Sequence, residues 1–241
     1  MPATALGEFV GMVVLILLGD GVVANVLLAR SKGQGGGWLV ITTGWAVAVF
    51  FGVLVASALG APGELNPAAS LANVVLGTRT VSDALWHAAA QMTGAIVGAT
   101  LVWLQYLPHW PETTDADTIR GVFCNAPAIR ATTANLTAEI IGTAMLIFGV
   151  NAAVAASTTG TAPATPLVSA LVMAMVWGVG LSLGGPTGYA INPARDLGPR
   201  IAHALLPIAN KGHSDWGYSW IPVVGPCLGA VVAAVLWQGL R

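Results

Sequence analysis

The sequence predicts an all-α membrane protein with six transmembrane helices and two half-helices arranged as an inverted repeat. Hydrophobic residues make up 56 % of the 241 residues and charged residues only 8 %. Soluble domains carry about a quarter charged residues, so lipid is the expected solvent for this chain. Long apolar segments, two shorter ones and an internal repeat then specify the arrangement.

Six segments are long enough to span a bilayer, because a helix needs about 20 mostly apolar residues to cross its hydrocarbon core. They are 6–29, 37–59, 84–104, 136–156, 167–183 and 220–240. The polar segment between the third and fourth spans is predicted to be an extramembrane loop. The chain is therefore predicted to be one membrane domain, with a first repeat at 1–106, a connecting loop at 107–133 and a second repeat at 134–241.

Two further apolar stretches, 66–76 and 192–205, are too short to span. At about 1.5 Å per residue, each reaches roughly halfway across a bilayer. Both begin with Asn-Pro, in which asparagine is a favourable N-cap and proline is favourable at the first helical position. These stretches are therefore predicted to be half-helices.

The two halves of the chain share a pattern. Glu8 opens the first span in Glu-Phe-Val-Gly, and Glu139 opens the fourth in Glu-Ile-Ile-Gly. Each half contains three spans, an odd number, so the second half must enter the membrane from the opposite side. The functional site of such an inverted repeat is expected near the midplane, where the broken helices meet.

The half-helices begin with two copies of one motif, Asn66-Pro67-Ala68 and Asn192-Pro193-Ala194. Two such motifs in an inverted repeat resemble the major intrinsic protein family of aquaporins and glycerol facilitators, over nearly the whole chain. The second motif continues with Arg195-Asp196, which resembles the glycerol-conducting branch. The resemblance implies a passive channel rather than an enzyme.

The residue chemistry around the motifs suits a pore. Each half-helix directs a partly positive N-terminus at the midplane, where Asn66 and Asn192 would donate hydrogen bonds and help to exclude cations and protons. Plain helix capping is the alternative role for both asparagines. The non-helical backbone before each motif is expected to expose carbonyl acceptors. These carbonyls belong to Gly63, Glu64, Leu65, Gly188, Tyr189 and Ala190.

The family resemblance implies a selectivity filter in which Arg195 is a fixed hydrogen-bond donor. Tyr189 and Gly180 would form two other walls. The remaining wall should be an aromatic side chain from the second span, and Trp45 is the candidate. Because Trp45 lies one residue further from the first motif than the family spacing, Ala46 is the alternative. A salt bridge with Asp196 is an alternative role for Arg195.

Several acids fall within or near the spans. Glu8 and Glu139 are predicted to accept hydrogen bonds from the half-helix loops and hold them bent, with Gln91 supporting the same region; a proton relay is the alternative. Glu64 stands where the family often has histidine. It is interpreted as structural, pairing with Arg79, or as a group that tunes conduction with pH. The four histidines share no spacing and are predicted to be capping or surface residues.

Glycerol and water are the expected permeants, with dihydroxyacetone, urea, hydrogen peroxide and protonated lactic acid as further candidates that the sequence does not rank. An ion-coupled secondary transporter is the alternative, with only Glu8, Glu64 and Glu139 counted as acids for coupling. The sequence shows no Ser/His dyad, no paired catalytic carboxylates and no metal-ligand spacing at its two cysteines, so no enzyme activity, metal or cofactor is predicted.

The remaining predictions concern partners and location. A net charge of −1 gives no basis for nucleic-acid binding. The family resemblance implies a homotetramer in the plasma membrane, surrounded by the lipid bilayer, with both termini cytoplasmic. The distribution of lysine and arginine runs against that orientation, because more of them fall on the opposite side, contrary to the positive-inside tendency.

Overall fold

The computed structural model describes residues 3–159, 162–163 and 165–241, and this part of the chain contains nine helices and one short strand pair. The helices are α1 (Thr4–Leu27), α2 (Gly37–Ala58), α3 (Pro67–Val75), α4 (Val81–Gln105), α5 (Ala116–Phe123), α6 (Thr132–Ser157), α7 (Thr165–Leu183), α8 (Pro193–Leu205) and α9 (Ile221–Gly239). Between α6 and α7, β1 (Thr158–Thr159) pairs antiparallel with β2 (Ala162–Pro163). Six helices, α1, α2, α4, α6, α7 and α9, are long and apolar enough to cross a membrane.

The two half-helices begin where the capping chemistry places them. Asn66 is the N-cap of α3 and its side chain accepts a hydrogen bond from the backbone N–H of Ala68 at 2.9 Å. Asn192 is the N-cap of α8 and accepts in the same way from Ala194 at 3.0 Å. With nine and thirteen residues, the two helices reach roughly 14 and 20 Å, well short of a hydrocarbon core of about 30 Å.

Small residues bring the long helices of each repeat together. In the first repeat, a Cβ atom on Gly94 of α4 would lie 2.5 Å from the carbonyl oxygen of Phe9 in α1. In the second repeat, a Cβ on Gly229 of α9 would lie 2.4 Å from the carbonyl oxygen of Ile140 in α6. Glycine at these positions therefore allows backbone-to-backbone contact between helices, as small residues do in membrane bundles.

The connecting segment contains more structure than its polar composition indicates. It includes the eight-residue helix α5, whose N-cap Asp115 accepts a hydrogen bond from the backbone N–H of Thr118 at 2.8 Å. The inner face of α5 is buried, and the ring of Phe123 stacks on that of Trp110 at a centroid distance of 5.6 Å. The helix packs against α1 and α8, so the segment is a folded cover on one end of the bundle.

The outward faces of the spanning helices are apolar. Large hydrophobic side chains are exposed along α1, α2, α4, α7 and α9, among them Leu18, Leu39, Leu101, Leu181 and Val232. Several buried polar side chains, among them Glu8, Glu139, Asn66 and Asn192, lie instead around the starts of the half-helices. This distribution suits lipid outside and a polar path inside.

Candidate pore and selectivity filter

The N-termini of α3 and α8 meet through two reciprocal hydrogen bonds. The side-chain amide of Asn66 donates to the carbonyl oxygen of Ile191 at 2.8 Å, and that of Asn192 donates to the carbonyl oxygen of Leu65 at 2.7 Å. Each side-chain oxygen caps its own helix, so the amide orientation is fixed. Since a side-chain amide has two N–H groups and both asparagines border the central cavity, capping and donation to a solute are compatible.

Two buried carboxylates hold the loops that precede the half-helices. Glu8 accepts hydrogen bonds from the backbone N–H groups of Glu64 at 2.9 Å and Leu65 at 2.8 Å. Glu139 accepts from those of Ala190 at 3.0 Å and Ile191 at 2.8 Å. The two repeats thus use one carboxylate each in the same way.

Additional contacts fix the carboxylates themselves. The amide of Gln91 donates to Glu8 at 2.7 Å, and the hydroxyl of Thr187 donates to Glu139 at 2.6 Å. Leu65, Tyr189 and Ile191 have φ values of 48°, 40° and 43°, in the left-handed region that costs non-glycine residues of order 1–3 kcal/mol each. The hydrogen bonds to Glu8 and Glu139 offset this strain and hold the loops bent.

A central cavity of about 1120 Å³ passes between the two motifs. At one end it is lined by Arg79 and Arg241, and at the other by Trp45, Tyr189 and Arg195. One wall is apolar and comes from α1, α2, α6 and α7, whereas the half-helix loops supply the polar wall. The apolar wall contains Leu15, Val49, Val53, Leu146, Val150, Val168, Val172 and Val176.

Most residues expected to expose carbonyls border this cavity: Gly63, Glu64, Leu65, Tyr189 and Ala190. Gly188 does not, and its carbonyl oxygen accepts a hydrogen bond from the side-chain amide of Asn125 at 2.7 Å. Ile191, which was not predicted, borders the cavity in its place. Gly188 has a φ of 75°, so its role is to let the loop turn.

Three of the predicted filter residues come together at one end of the cavity. The guanidinium carbon of Arg195 lies 3.9 Å from the centroid of the Trp45 ring, within the range of a cation–π contact. Tyr189 borders the same end. Of the two candidates on α2, Trp45 borders the cavity and Ala46 does not, although both are buried.

Gly180 has a different place from the one predicted, because it does not border the cavity. A Cβ atom at this position would lie 2.9 Å from Cζ of Tyr189, so the glycine makes room for the tyrosine ring. Trp38 completes this support: its indole N–H donates to the carbonyl oxygen of Gly180 at 3.0 Å, and its ring meets Tyr189 edge-on at 5.7 Å. Trp38 was not predicted to be part of the site.

The alternative ion pair between Arg195 and Asp196 is not present. Asp196 instead pairs with Arg200, whose Nε and Nη2 donate to its carboxylate at 2.9 and 2.8 Å, and both side chains are fully buried. The spacing of four residues places the two on one face of α8. Asp196 also accepts a hydrogen bond from the backbone N–H of Asn125 at 2.8 Å, which fastens the connecting segment to the second half-helix.

Glu64 lies at the centre of a hydrogen-bond network at the other end of the cavity. One carboxylate oxygen accepts from Asn73 at 2.8 Å and from Nε of Arg79 at 3.1 Å. The other accepts from the hydroxyl of Ser70 at 2.5 Å and lies 2.9 Å from Nδ1 of His87. Both carboxylate oxygens of Glu64 are therefore fully engaged within the protein.

The prediction for the histidines is wrong at two positions. His87 is fully buried between Glu64 and Thr4, and His203 is fully buried with its Nδ1 2.8 Å from the hydroxyl of Ser214. The partners lie far away in sequence or in an irregular loop, so no local pattern marks either histidine. Glu8, Glu64 and His87 have potential metal-ligand atoms within 4.8 Å of one another. Since the carboxylate oxygens already accept protein donors, the cluster is a hydrogen-bond network.

Two further residues bear on the reactivity of the site. Burial raises the pKa of the Cys124 thiol to about 12, so this cysteine stays protonated and unreactive. Asp20, in the C-terminal half of α1, is fully buried and was missing from the acids counted in the sequence. The internal repeat could have drawn attention to Asp20. Its counterpart in the second repeat is Asn151, because 131 residues separate the two, as they separate Glu8 from Glu139.

Comparisons with known proteins agree with this architecture. A sequence model of the family described as "Major intrinsic protein" matches residues 3–237. "Glycerol uptake facilitator protein 3" of Lactiplantibacillus plantarum is 51 % identical over 237 residues, which cover 98 % of this chain and 95 % of the relative. The "D/L-lactic acid transporter" of the same organism is 39 % identical over 238 residues, covering 97 % and 96 %.

A solved structure supports the same fold. The X-ray structure of the aquaglyceroporin from Plasmodium falciparum superposes with a TM-score of 0.87 at 29 % sequence identity, covering 98 % of this chain and 95 % of that one. The predicted fold class, six transmembrane helices with two half-helices, is therefore confirmed. The predicted family resemblance is confirmed as well.

Proposed function

Because the chain belongs to the major intrinsic protein family, we propose that it is a passive channel through which glycerol and water diffuse down their gradients. The observation that carries this proposal is the arrangement of Trp45, Tyr189 and Arg195 at one end of the central cavity. Two aromatic rings offer apolar surface, and the guanidinium offers hydrogen-bond donors. A polyol has carbon on one side and hydroxyls on the other, so it matches both surfaces at once.

The rest of the cavity also has an apolar side and a hydrogen-bonding side. The valine-rich wall faces the polar loops across the cavity, and Asn66 and Asn192 lie midway. A hydroxyl there meets amide donors from both asparagines. The converging partly positive helix ends disfavour cations and interrupt the donor–acceptor chain that a proton needs.

Uncharged solutes of similar size are further candidates, namely dihydroxyacetone, urea, hydrogen peroxide and protonated lactic acid. The relative named as a D/L-lactic acid transporter makes lactic acid the most informative of them to test. The lactate anion would have to give up its hydration in a largely apolar passage, which costs far more than for the neutral acid.

A proteoliposome assay tests the proposal directly. Stopped-flow light scattering would follow shrinkage and re-swelling with glycerol, longer polyols, urea and lactic acid at two pH values. We expect fast glycerol and water flux, slower flux as the polyol lengthens, and lactic acid flux only at the pH where it is protonated. Arg195→Ala should change the relative permeabilities, whereas Leu181→Ala, on the lipid-facing side of α7, should leave them unchanged.

The competing class, an ion-coupled transporter, predicts flux that depends on an ion gradient. The carboxylates of Glu8 and Glu139 hold backbone amides, so neither is available for coupling. We expect glycerol flux to be the same with and without gramicidin, which collapses proton and sodium gradients. A flux that disappears with gramicidin would instead support coupled transport.

We also propose a homotetramer in the plasma membrane, with both termini in the cytoplasm. The family resemblance supports the tetramer, and an even number of spans puts both termini on one side. Native mass spectrometry in detergent should give a mass four times that of the 24.4 kDa chain.

The orientation needs a separate test. A fluorescent protein fused after Arg241 should fold and fluoresce only if the C-terminus is cytoplasmic.

A further inference from the structure

Asn125, in the irregular stretch that follows α5, is bound through its main chain to the second half-helix. Its backbone N–H donates to the carboxylate of Asp196 at 2.8 Å, and its carbonyl oxygen accepts from Nη2 of Arg200 at 2.9 Å. Both partners belong to α8 and are fully buried. The main chain of Asn125 is therefore fastened to the helix whose first turn carries Arg195.

The side chain of Asn125 is bound to a different segment, the loop that precedes α8. Its amide nitrogen donates to the carbonyl oxygen of Gly188 at 2.7 Å and, at a longer 3.4 Å, to that of Thr187. The opposite amide orientation would turn the side-chain oxygen toward two carbonyl oxygens, so the nitrogen is the atom that faces the loop. Asn125 thus connects α8 to the residue immediately before Tyr189.

This contact between the connecting segment and the loop leaves little room for movement. Asn125 is 6 % exposed, and a Cβ atom at Gly188 would lie 2.8 Å from its amide nitrogen. A second hydrogen bond joins the same two segments, from the backbone N–H of Ala128 to the carbonyl oxygen of Pro186 at 3.0 Å. The loop therefore cannot shift toward or away from α8 without disturbing the connecting segment.

The position of the Tyr189 ring depends on the backbone that carries it. Its hydroxyl is buried and has no hydrogen-bond partner among the residues that the structure describes. The ring packs against Trp38 and Gly180. Glu139 binds the backbone N–H groups of the two residues after the tyrosine, and Asn125 binds the carbonyl group of the residue before it. Asn125 is thus one of two side chains that fix this backbone.

We propose that Asn125 is a positioning residue that sets the separation between Tyr189 and Arg195, and with it the size of solute that the filter accepts. The inference rests on the proposed channel function. Tyr189 and Arg195 both border the cavity at its filter end, so their separation determines the width available to a solute. Asn125 itself does not border the cavity. The extramembrane segment thereby contributes to selectivity without touching the solute.

Asn125→Leu is the direct test, because it removes the amide donor and keeps a branched side chain. The readout is the ratio of erythritol to glycerol permeability, measured by stopped-flow light scattering in proteoliposomes. We expect this ratio to rise by about threefold or more, because a filter wall that is held less firmly discriminates less by size. Asn125→Ala removes the same donor without adding apolar bulk and should raise the ratio as well.

Asn210 offers a matched control in the same part of the protein. Its amide nitrogen donates to the carbonyl oxygens of Pro111 and Thr113 at 3.2 and 3.1 Å. Asn210→Leu therefore removes the same kind of contact with the connecting segment, but away from the filter. We expect both leucine variants to lower the melting temperature, because each loses hydrogen bonds, and only Asn125→Leu to change the permeability ratio. A merely structural role for Asn125 would leave the ratio unchanged in both.

A double variant tests whether Asn125 acts through the tyrosine. In Tyr189→Ala the ring is absent, so its position no longer matters. Adding Asn125→Leu to Tyr189→Ala should then change the permeability ratio by less than about twofold, since the two changes affect the same wall. If Asn125→Leu raises the ratio by the same factor with and without the tyrosine ring, the inference is overturned.

The outcomes separate the inference from the channel proposal. An Asn125→Leu protein that reconstitutes with the wild-type ratio overturns the inference, even if wild-type glycerol flux is fast. If Asn125→Leu does not reconstitute, Asn125→Ala decides: a raised ratio supports the inference, and an unchanged ratio overturns it. Failure of wild-type glycerol flux would instead overturn the channel proposal.

Discussion

The side-chain amide of Asn66 donates to the carbonyl oxygen of Ile191, the residue immediately before Asn192, at 2.8 Å. The reverse bond, from Asn192 to Leu65, is 2.7 Å long. Each half-helix is therefore held by the backbone of the other repeat. A change in one motif should disturb both. The two asparagines should contribute by similar amounts, although Asn192 also accepts a longer hydrogen bond from the backbone N–H of Arg195 at 3.3 Å.

We expect Asn66→Ala and Asn192→Ala to have similar effects. Each loses a helix cap worth about 1 kcal/mol and a cross-repeat hydrogen bond worth about 0.5–1.5 kcal/mol, together with one pore donor. Thermal stability in detergent should fall by similar amounts, and glycerol flux should fall several-fold in both. A large effect in one variant and none in the other would contradict the reciprocal arrangement.

Gly180 gives a sharper test of the filter, because the same helix supplies a matched control. A Cβ at Gly180 would collide with the Tyr189 ring at 2.9 Å, whereas a Cβ at Gly178 meets no atom within 4 Å. We expect Gly180→Ala to displace Tyr189 and change the ratio of glycerol to water permeability, and Gly178→Ala to leave that ratio as in wild type. Stopped-flow measurements on both variants decide this, and equal ratios would contradict the role assigned to Gly180.

The Arg130–Asp215 pair predicts a dependence of stability on acid pH. Burial alone would raise the pKa of Asp215, but the hydrogen bond and charge of Arg130 outweigh it, and the pKa lies below its ordinary value. A carboxyl whose folded pKa is lowered stabilises the protein above its unfolded pKa, about 3.9. That stabilisation is lost as pH falls through the folded value.

The measurement is the melting temperature of wild type and Arg130→Gln between pH 3 and 7. We expect a constant difference above about pH 5 that shrinks below about pH 4. Because Arg130 is largely exposed, the difference should correspond to no more than about 1 kcal/mol. Arg30→Gln, which breaks the exposed pair with Glu112, is the control. A difference that grows in acid would contradict the assignment.

The features that the sequence predicts well are those with a local cause. The spans follow from apolar length, and α3 and α8 begin at Pro67 and Pro193 because Asn-Pro is a capping sequence. The observed helix ends differ by a few residues from the predicted spans where a polar N-cap lets the helix begin earlier. Thr80, for example, caps α4 and starts it at Val81, three residues before the predicted span.

The features that the sequence misses depend on partners brought together by the fold. His87 is buried because it meets Glu64 across two elements, and Trp38 supports Tyr189 from a different helix. The Asp196–Arg200 pair had a local signal, since a spacing of four residues is typical of ion pairs on one helix face. For Asp20, the internal repeat marks the position as polar in both halves of the chain. The sequence around it is apolar, however, and does not predict which residues surround its side chain.

Glu64 is the residue for which the structure separates two interpretations most clearly. Its carboxylate accepts from Asn73, Arg79 and Ser70 and faces His87. Among the residues that the structure describes, Glu8 is an acid close to it, and Glu8 is engaged with backbone amides. A carboxylate held by so many donors stabilises the fold in its charged form. We therefore expect a structural role for Glu64 rather than tuning by pH.

Glu64→Gln should lower stability, because the side-chain N–H of the new amide would face groups that themselves donate hydrogen bonds. Loss of a hydrogen bond to a charged group costs about 1.5–3 kcal/mol. Glycerol flux across pH 5–8 should keep the wild-type profile at reduced amplitude. Glu112→Gln, at an exposed site, controls for the loss of one charge. A flat profile in Glu64→Gln beside a sloping wild-type profile would contradict the structural role, because only a titrating Glu64 network could produce that difference.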